Sequence, residues 1–300
     1  MSSLAFSIAG LVVGTAVGAT GVGGGSLMTP ILIMFYGVSP SLAVGTDLLY
    51  ASISKSFGTW LHNKNQSVDW KIVGWQTLGS LPAALLTLVF IEHFGKSNSL
   101  DSLIKLVLSV AIVTTATFTL FQGQVLAWAR RRRGDGPLNT TEPRHQRLLT
   151  VLSGVLIGAV VTISSVGAGV IGMMLLLLLY PKHRPVSIVG SDLAHAVLIT
   201  AIAGAGHARL GSVDYSMLFY LLLGAIPGIW IGSRIGFKLP PERLKTAIAM
   251  LLILVGSISL YKSLQTSSAA IVTEAQARQP AKAVAAQPTT LAAPPPVSAH

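Results

Sequence analysis

The 300-residue chain contains no cysteine and little charge, with Asp, Glu, Lys and Arg making up 10% of it. Without cysteine there is no disulfide, no thiolate metal site and no cysteine nucleophile. No spacing resembles a zinc or hydrolase site, and neither a Walker nor a Rossmann fingerprint is present. With 51% hydrophobic residues and a mean hydropathy of +0.67, the chain carries more apolar surface than a soluble protein of this size can hide. What it does have is a series of long apolar stretches, over 4–36, 45–62, 70–94, 101–129, 148–180, 190–208, 214–238 and 243–263. A cleavable signal peptide would explain only the first of them. The expected fold is an all-α polytopic membrane protein, with roughly eight to ten transmembrane segments.

The net charge of +11 invites a nucleic-acid reading, but the basic residues lie in loops beside the apolar segments. Orientation by the positive-inside rule accounts for them, and no nucleic-acid partner is expected. The most polar internal stretch, 130–147, holds RRRRGDG and separates a membrane repeat over 1–129 from a second over 148–264. Residues 265–300, rich in Ala, Pro, Gln and Thr, cannot form a core and read as a disordered tail.

The two halves repeat each other. Gly10 and Gly14 match Gly154 and Gly158 at an offset of 144, and GVGGG from Gly21 matches SVGAG from Ser165. One inserted residue later, GTDLLYA (Gly45 to Ala51) matches GSDLAHA (Gly190 to Ala196) at an offset of 145. His62 then matches His207, Val68-Asp69 matches Val213-Asp214, and Gly79 and Pro82 match Gly224 and Pro227. Shared apolar composition would align Leu and Val; it would not align Gly, Asp, His and Pro in order.

The first element of each half, about 33 residues or roughly 50 Å as one helix, is too long for a hydrocarbon core of about 30 Å. Each is therefore expected to break at its Gly-rich stretch, as two spans or as a re-entrant hairpin, and to be followed by three further spans. Either break leaves each half ending opposite to where it began, so the repeats are inverted. Unbroken, they would be parallel. The inverted arrangement places fourteen basic residues on one side: Lys64, Lys71, Arg130 to Arg133, Arg144, Arg147, Lys182, Arg184, Arg234, Lys238, Arg243 and Lys245. The parallel one leaves no clear bias. Charge thus favours inverted repeats, with linker 130–147 cytoplasmic and both termini outside.

Gly-rich backbone at membrane depth is tolerated only where protein or water covers it, and broken helices aim their amides at anionic substrates in inverted-repeat transporters. The candidate substrate-binding residues are Thr20, Gly21, Gly23, Gly24, Gly25 and Ser26 in the first break. In the second they are Ser164, Ser165, Gly167 and Gly169, with the Thr162 hydroxyl nearby. Close helix packing is the competing role for such glycines and the expected one for Gly10, Gly14 and Gly18. Thr46 and Ser191 read as N-caps of helices with Asp47 and Asp192 in their first turns, and both also belong to the candidate site. The two acids are candidates for proton coupling, a capping and dipole role being the alternative. Lys55 lies well inside an apolar segment. It serves an anion pathway or snorkels to the interface. His195 shares a helix face with Asp192 and is a further proton-coupling candidate, although a lone helical histidine is more often a packing residue. His62 and His207 read as interfacial or turn residues.

GVGGGSLMTPIL, then GVSPSLAVGTDLLYASISKSFG and an H-x6-DW pattern, resemble the first half of the TauE/SafE anion permeases. VGAGVIGMMLLLLLYP, VGSDLAHAVLITAIAGAGH and G-S-V-D resemble that family's second repeat, and the likeness covers about 5–262. The resemblance implies a bacterial-type inner-membrane permease for sulfite, sulfoacetate or related organosulfonates, working without a cofactor. By motif, its Gly-rich loops fall on Gly21–Ser26 and Ser165–Gly169, and its polar helix starts on Thr46, Asp47, Ser191 and Asp192. A related branch handles thiosulfate with cysteines, which this chain does not have.

The expectation is a secondary transporter, not an enzyme, carrying a small anion through a site framed by the two breaks. The lipid bilayer is its environment, and a coupling proton and a second copy of the chain are further candidate partners. A passive anion channel on the same scaffold, or a non-transporting assembly protein, are the alternatives. Gly23→Val or Gly167→Val is expected to abolish anion uptake while the protein still inserts. Uptake in proteoliposomes beside a membrane-fraction immunoblot checks this, and full activity would return the loops to packing.

Overall fold

The computed structural model describes residues 3–20, 27–64, 68–94, 98–132 and 144–236, together with Met250 and Ser257. Among the described residues there are nine helices and no strand: α1 (Ser3–Thr20), α2 (Met28–Tyr36), α3 (Pro40–Lys64), α4 (Trp70–Phe94), α5 (Asn98–Arg132), α6 (Arg144–Ser164), α7 (Val170–Leu179), α8 (Pro185–Arg209) and α9 (Tyr215–Gly236). Five of them are long and apolar enough to cross a membrane, over Trp70–Phe94, Leu100–Val125, His145–Ser164, Pro185–Arg209 and Tyr215–Gly232. The chain is an all-helical polytopic membrane protein. Contacts group residues 1–260 as one unit and 261–300 as a second. The expected last span at 243–263, apart from Met250 and Ser257, and the tail lie outside the described residues, as do 133–143 of the linker.

Each long first element is broken. The second piece is short: α2 has nine residues and α7 ten, about 14–15 Å of helix, which covers only half of a core of about 30 Å. α2 stops at Gly37, whose left-handed backbone (φ 63°) lets its N–H turn back to Leu32. Val38 donates to the same carbonyl at 3.1 Å.

α3 and α8 begin earlier than the apolar pattern suggests. Pro40 and Pro185 open them, a first-turn position where the missing N–H costs nothing and the fixed φ suits the helix. Thr46 and Ser191 therefore lie seven residues in and are not N-caps, and Asp47 and Asp192 are not in a first turn.

The halves interlock. α1 packs along α9, α4 along α6, and α3 along α8. In α1, a side-chain carbon added at Gly10, Gly14 or Gly18 would collide with the backbone of Leu221, Ala225 or Ile229 in α9. In α6, one added at Gly154 or Gly158 would collide with Gln76 or Ser80 in α4. These pairs correspond at the repeat offset, since Leu221 and Ala225 stand 145 residues after Gln76 and Ser80. Gly224 against Ser7 and Gly79 against Val151 complete the correspondence. Such close approach is how helices gain packing energy in lipid, where water does not drive them together.

Gly79→Val would push α4 off the Val151 carbonyl. It is expected to cost about 1–3 kcal/mol, read as a lower unfolding midpoint in detergent.

Candidate functional site

The described part of the break lies between α6 and α7. Ser165 takes a left-handed conformation (φ 58°), and Gly167 and Gly169 follow with φ of 109° and 135°. Three residues of the stretch thus take backbone that L side chains rarely adopt, two of them glycines. The first amides of α7 have no acceptor of their own within the helix. Thr162 and Ser164 spend their hydroxyls locally, on the carbonyls of Gly158 and Val160 at 2.7 Å each. Ser165 Oγ has no hydrogen-bond partner and faces the carboxylate of Asp47.

Lys55 is 3% exposed and does not snorkel. From α3 it crosses to the other half and donates to the carbonyl of Ala168, inside the break, at 2.5 Å. Asp47 and Asp192 both act on it electrostatically, without forming an ion pair within 4 Å among the described residues. Lys55 thus brings together Asp47, Asp192 and the second break, and His195 also lies within its field.

Each acid reaches the first turn of the short helix in its own half, with different results. Asp47 Oδ2 accepts from the Thr29 N–H at 3.2 Å and the Thr29 hydroxyl at 2.5 Å, at the start of α2. Asp192 Oδ1 lies against Gly172 in the first turn of α7, so close that any side chain there would overlap it. That oxygen has no hydrogen-bond donor.

Thr46 and Ser191 bind something other than a helix start. Thr46 Oγ1 accepts from the Asp214 N–H at 3.0 Å, and Ser191 Oγ from the Asp69 N–H at 2.8 Å. Each fastens the turn that leads into α9 or α4 of the opposite half. His195 is buried, with Nε2 at 2.8 Å from Ser80 Oγ. His207, in the last turn of α8, is fully buried, and its Nε2–H donates to the carbonyl of Thr162 at 2.9 Å. That carbonyl is in the last turn of α6, where the break removes its helical partner. The side chain of Thr20, residues Gly21, Gly23, Gly24, Gly25 and Ser26, and the His62 side chain lie outside the described residues.

Sequence reasoning missed Thr29, Tyr50 and Gln76. Thr29 carries the one available signal, a hydroxyl residue just before a proline where a helix begins. Tyr50 and Gln76 are buried, with the Tyr50 hydroxyl and both amide atoms of Gln76 unpartnered. Among the described residues no group of three His, Asp or Glu is placed to hold a metal.

A family model described as Sulfite exporter TauE/SafE matches residues 6–258. The chain is 35% identical over 255 residues to the Probable membrane transporter protein YjnA of Bacillus subtilis (strain 168), an overlap of 85% of this chain and 98% of that protein. It is 23% identical over 280 residues to the Probable membrane transporter protein YunE of the same strain, covering 88% and 99%. To the Probable membrane transporter protein MJ0441 of Methanocaldococcus jannaschii it is 25% identical over 268 residues, covering 84% and 93%. No solved structure matches.

Thr29→Val keeps the volume and removes the hydroxyl that binds Asp47. Leaving a buried carboxylate short of a donor is expected to cost about 1–3 kcal/mol, measured as a lower unfolding midpoint. Thr29→Ser should restore most of it.

Proposed function

The chain belongs to the TauE/SafE sulfite exporter family, and from that membership we propose that it carries small sulfur-containing anions, sulfite or organosulfonates, as a secondary transporter of the bacterial-type inner membrane. That it is a membrane transporter follows from the family and the matching relatives. It works on the anion by binding, not by chemistry. The observation that carries the reading is the buried Lys55 ammonium docked on the unwound backbone of the second break. A lysine deep in an apolar segment costs roughly 2.5–3.5 kcal/mol even on permissive scales, and an anion pathway is a use for it.

Lys55, with two of its three N–H groups unspent on Ala168, Ser165 Oγ and the amides around Gly167 and Gly169 then replace the hydration of the anion. Thr20, Gly21, Gly23, Gly24, Gly25 and Ser26, the matching stretch of the first repeat, are proposed to bind the anion as well. Thr46 and Ser191 hold the frame through the turns they fasten. Asp47, Asp192 and His195 stand near Lys55 as the groups for proton coupling. Inverted repeats, supported by the charge asymmetry and the cross-packing of α1 on α9 and α4 on α6, move against each other to alternate access.

The test is reconstitution into proteoliposomes with sulfite, sulfate, methanesulfonate, sulfoacetate, taurine and simple carboxylates. Sulfite or a sulfonate is expected to accumulate against its gradient under an imposed pH difference and to be displaced by the others. Lys55→Met should slow uptake about ten- to a hundredfold, the worth of a hydrogen bond to a charged group. If no anion moves, the carrier reading fails. If flux only ever runs downhill, the scaffold is a channel.

A further inference from the structure

Asp47 and Asp192 are repeat counterparts in one buried neighbourhood, and each meets the first turn of the short helix of its own half. Asp47 is tied there by two donors from Thr29. Asp192 is 4% exposed, and its Oδ1 has none. It rests on Gly172 at the amino end of α7, where the helix dipole favours negative charge. That is also where an incoming anion would sit. The Lys55 ammonium, bound to Ala168 in the turn just before α7, marks the same place.

We propose that Asp192 is a tethered stand-in for the substrate anion and takes up one proton whenever an anion binds, so that monoanions and protons travel together, one for one, with no net charge moved. This rests on the anion-carrier reading above. Two carboxylates, Asp47 and Asp192, share the single Lys55 ammonium, which acts on both. Ionised Asp192 then leaves the site one negative charge in excess, and a bound monoanion would add a second. Protonation of Asp192 offsets the arriving charge, and the total stays constant through the cycle. The proton comes from the compartment that supplies the anion, rests on a carboxylate oxygen of Asp192, and leaves on the other side; no other bond forms or breaks. The ionisable groups around Asp192 are few. α3 brings Lys55 and Asp47, α8 brings His195 one turn along, already bonded to Ser80 through Nε2, and α7 carries none. Gln76 and Ser80 of α4 are neutral.

Methanesulfonate is the decisive probe, because it remains a monoanion across the working pH range and brings no proton of its own. Sulfite is run in parallel. In wild-type proteoliposomes, a trapped pH dye should record one proton entering per methanesulfonate, and valinomycin–potassium potentials of either sign should leave the initial rate within about twofold. Binding should weaken about tenfold per pH unit once Asp192 ionises, the signature of one linked proton. Asp192→Asn, the same shape without the charge, should bind with no pH dependence, carry in no proton and follow the imposed potential. Voltage-driven uptake without protons in the wild type overturns the proposal, as does one-for-one proton entry in Asp192→Asn. If no anion of the panel moves at all, the carrier reading falls and this one with it; anion movement without protons sinks the coupling alone.

Discussion

A helix interrupted inside a membrane survives only if the protein itself takes up the backbone groups that the interruption frees, and the arrangement around 165–169 follows from that constraint. The Thr162 carbonyl at the end of α6 is taken by His207 from α8, and the Ala168 carbonyl by Lys55 from α3. Ser165 N–H still reaches back to Val161 at 2.7 Å, and the Val166 N–H is held by Ser164 Oγ at 3.2 Å. Two of these four partners are ionisable side chains from elsewhere in the fold. The break is thus not a local accident of glycine. It is held open by long-range donors, and it brings a buried ammonium to the place where the helix starts again.

The same constraint explains why the halves pack on each other. Two short helices that span only half the hydrocarbon core need long neighbours to cover them: α1 and α3 pack on α2, and α5, α6 and α8 on α7, while α1 with α9 and α4 with α6 join the halves. Glycines set the spacing of both pairs, and Thr46 and Ser191 pin the turn before the opposite half's long helix. Ser52 of α3 approaches the carbonyl of Val197 of α8, its own counterpart at the 145-residue offset, at 3.5 Å. A residue that meets its counterpart lies where the two halves face each other. α3 and α8 therefore carry Asp47, Lys55, Asp192 and His195 along the contact between the halves.

Five of the spans, the break before α7 and the packing role of Gly10, Gly14 and Gly18 were legible because each depends on local composition or regular spacing. Helix starts were not. Apolar periodicity made Thr46 and Ser191 look like caps, while Pro40 and Pro185 had already opened the helices six residues earlier. The partner of His207 was not legible for a different reason: it is a carbonyl 45 residues away, left free by a break in another helix. Thr29 was passed over because its value depends on Asp47, 18 residues on, reaching back to it. Of the site, the sequence carried the residue types and the break before α7. It did not carry that Thr29 binds Asp47 while the Asp192 Oδ1 has no donor.

That last difference is where duplication acquires consequences. Thr29 has Met173 as its counterpart, so only one half supplies a hydroxyl to its acid. Lys55 faces Thr200 across the repeat, and Thr200 turns its hydroxyl back onto the Ala196 carbonyl at 2.7 Å. Tyr50 corresponds to His195. A symmetric pair of sites would place two equivalent carboxylates at two helix starts, with no reason for either to change its charge. Divergence has given Asp47 Oδ2 two fixed donors and left Asp192 Oδ1 without one, with a single ammonium acting on both acids. An unpaired buried carboxylate is costly to keep ionised and less costly to keep protonated, whereas a doubly bonded one is stable as it stands. The differences at Thr29, Tyr50 and Lys55 thus place two matching acids in unlike surroundings.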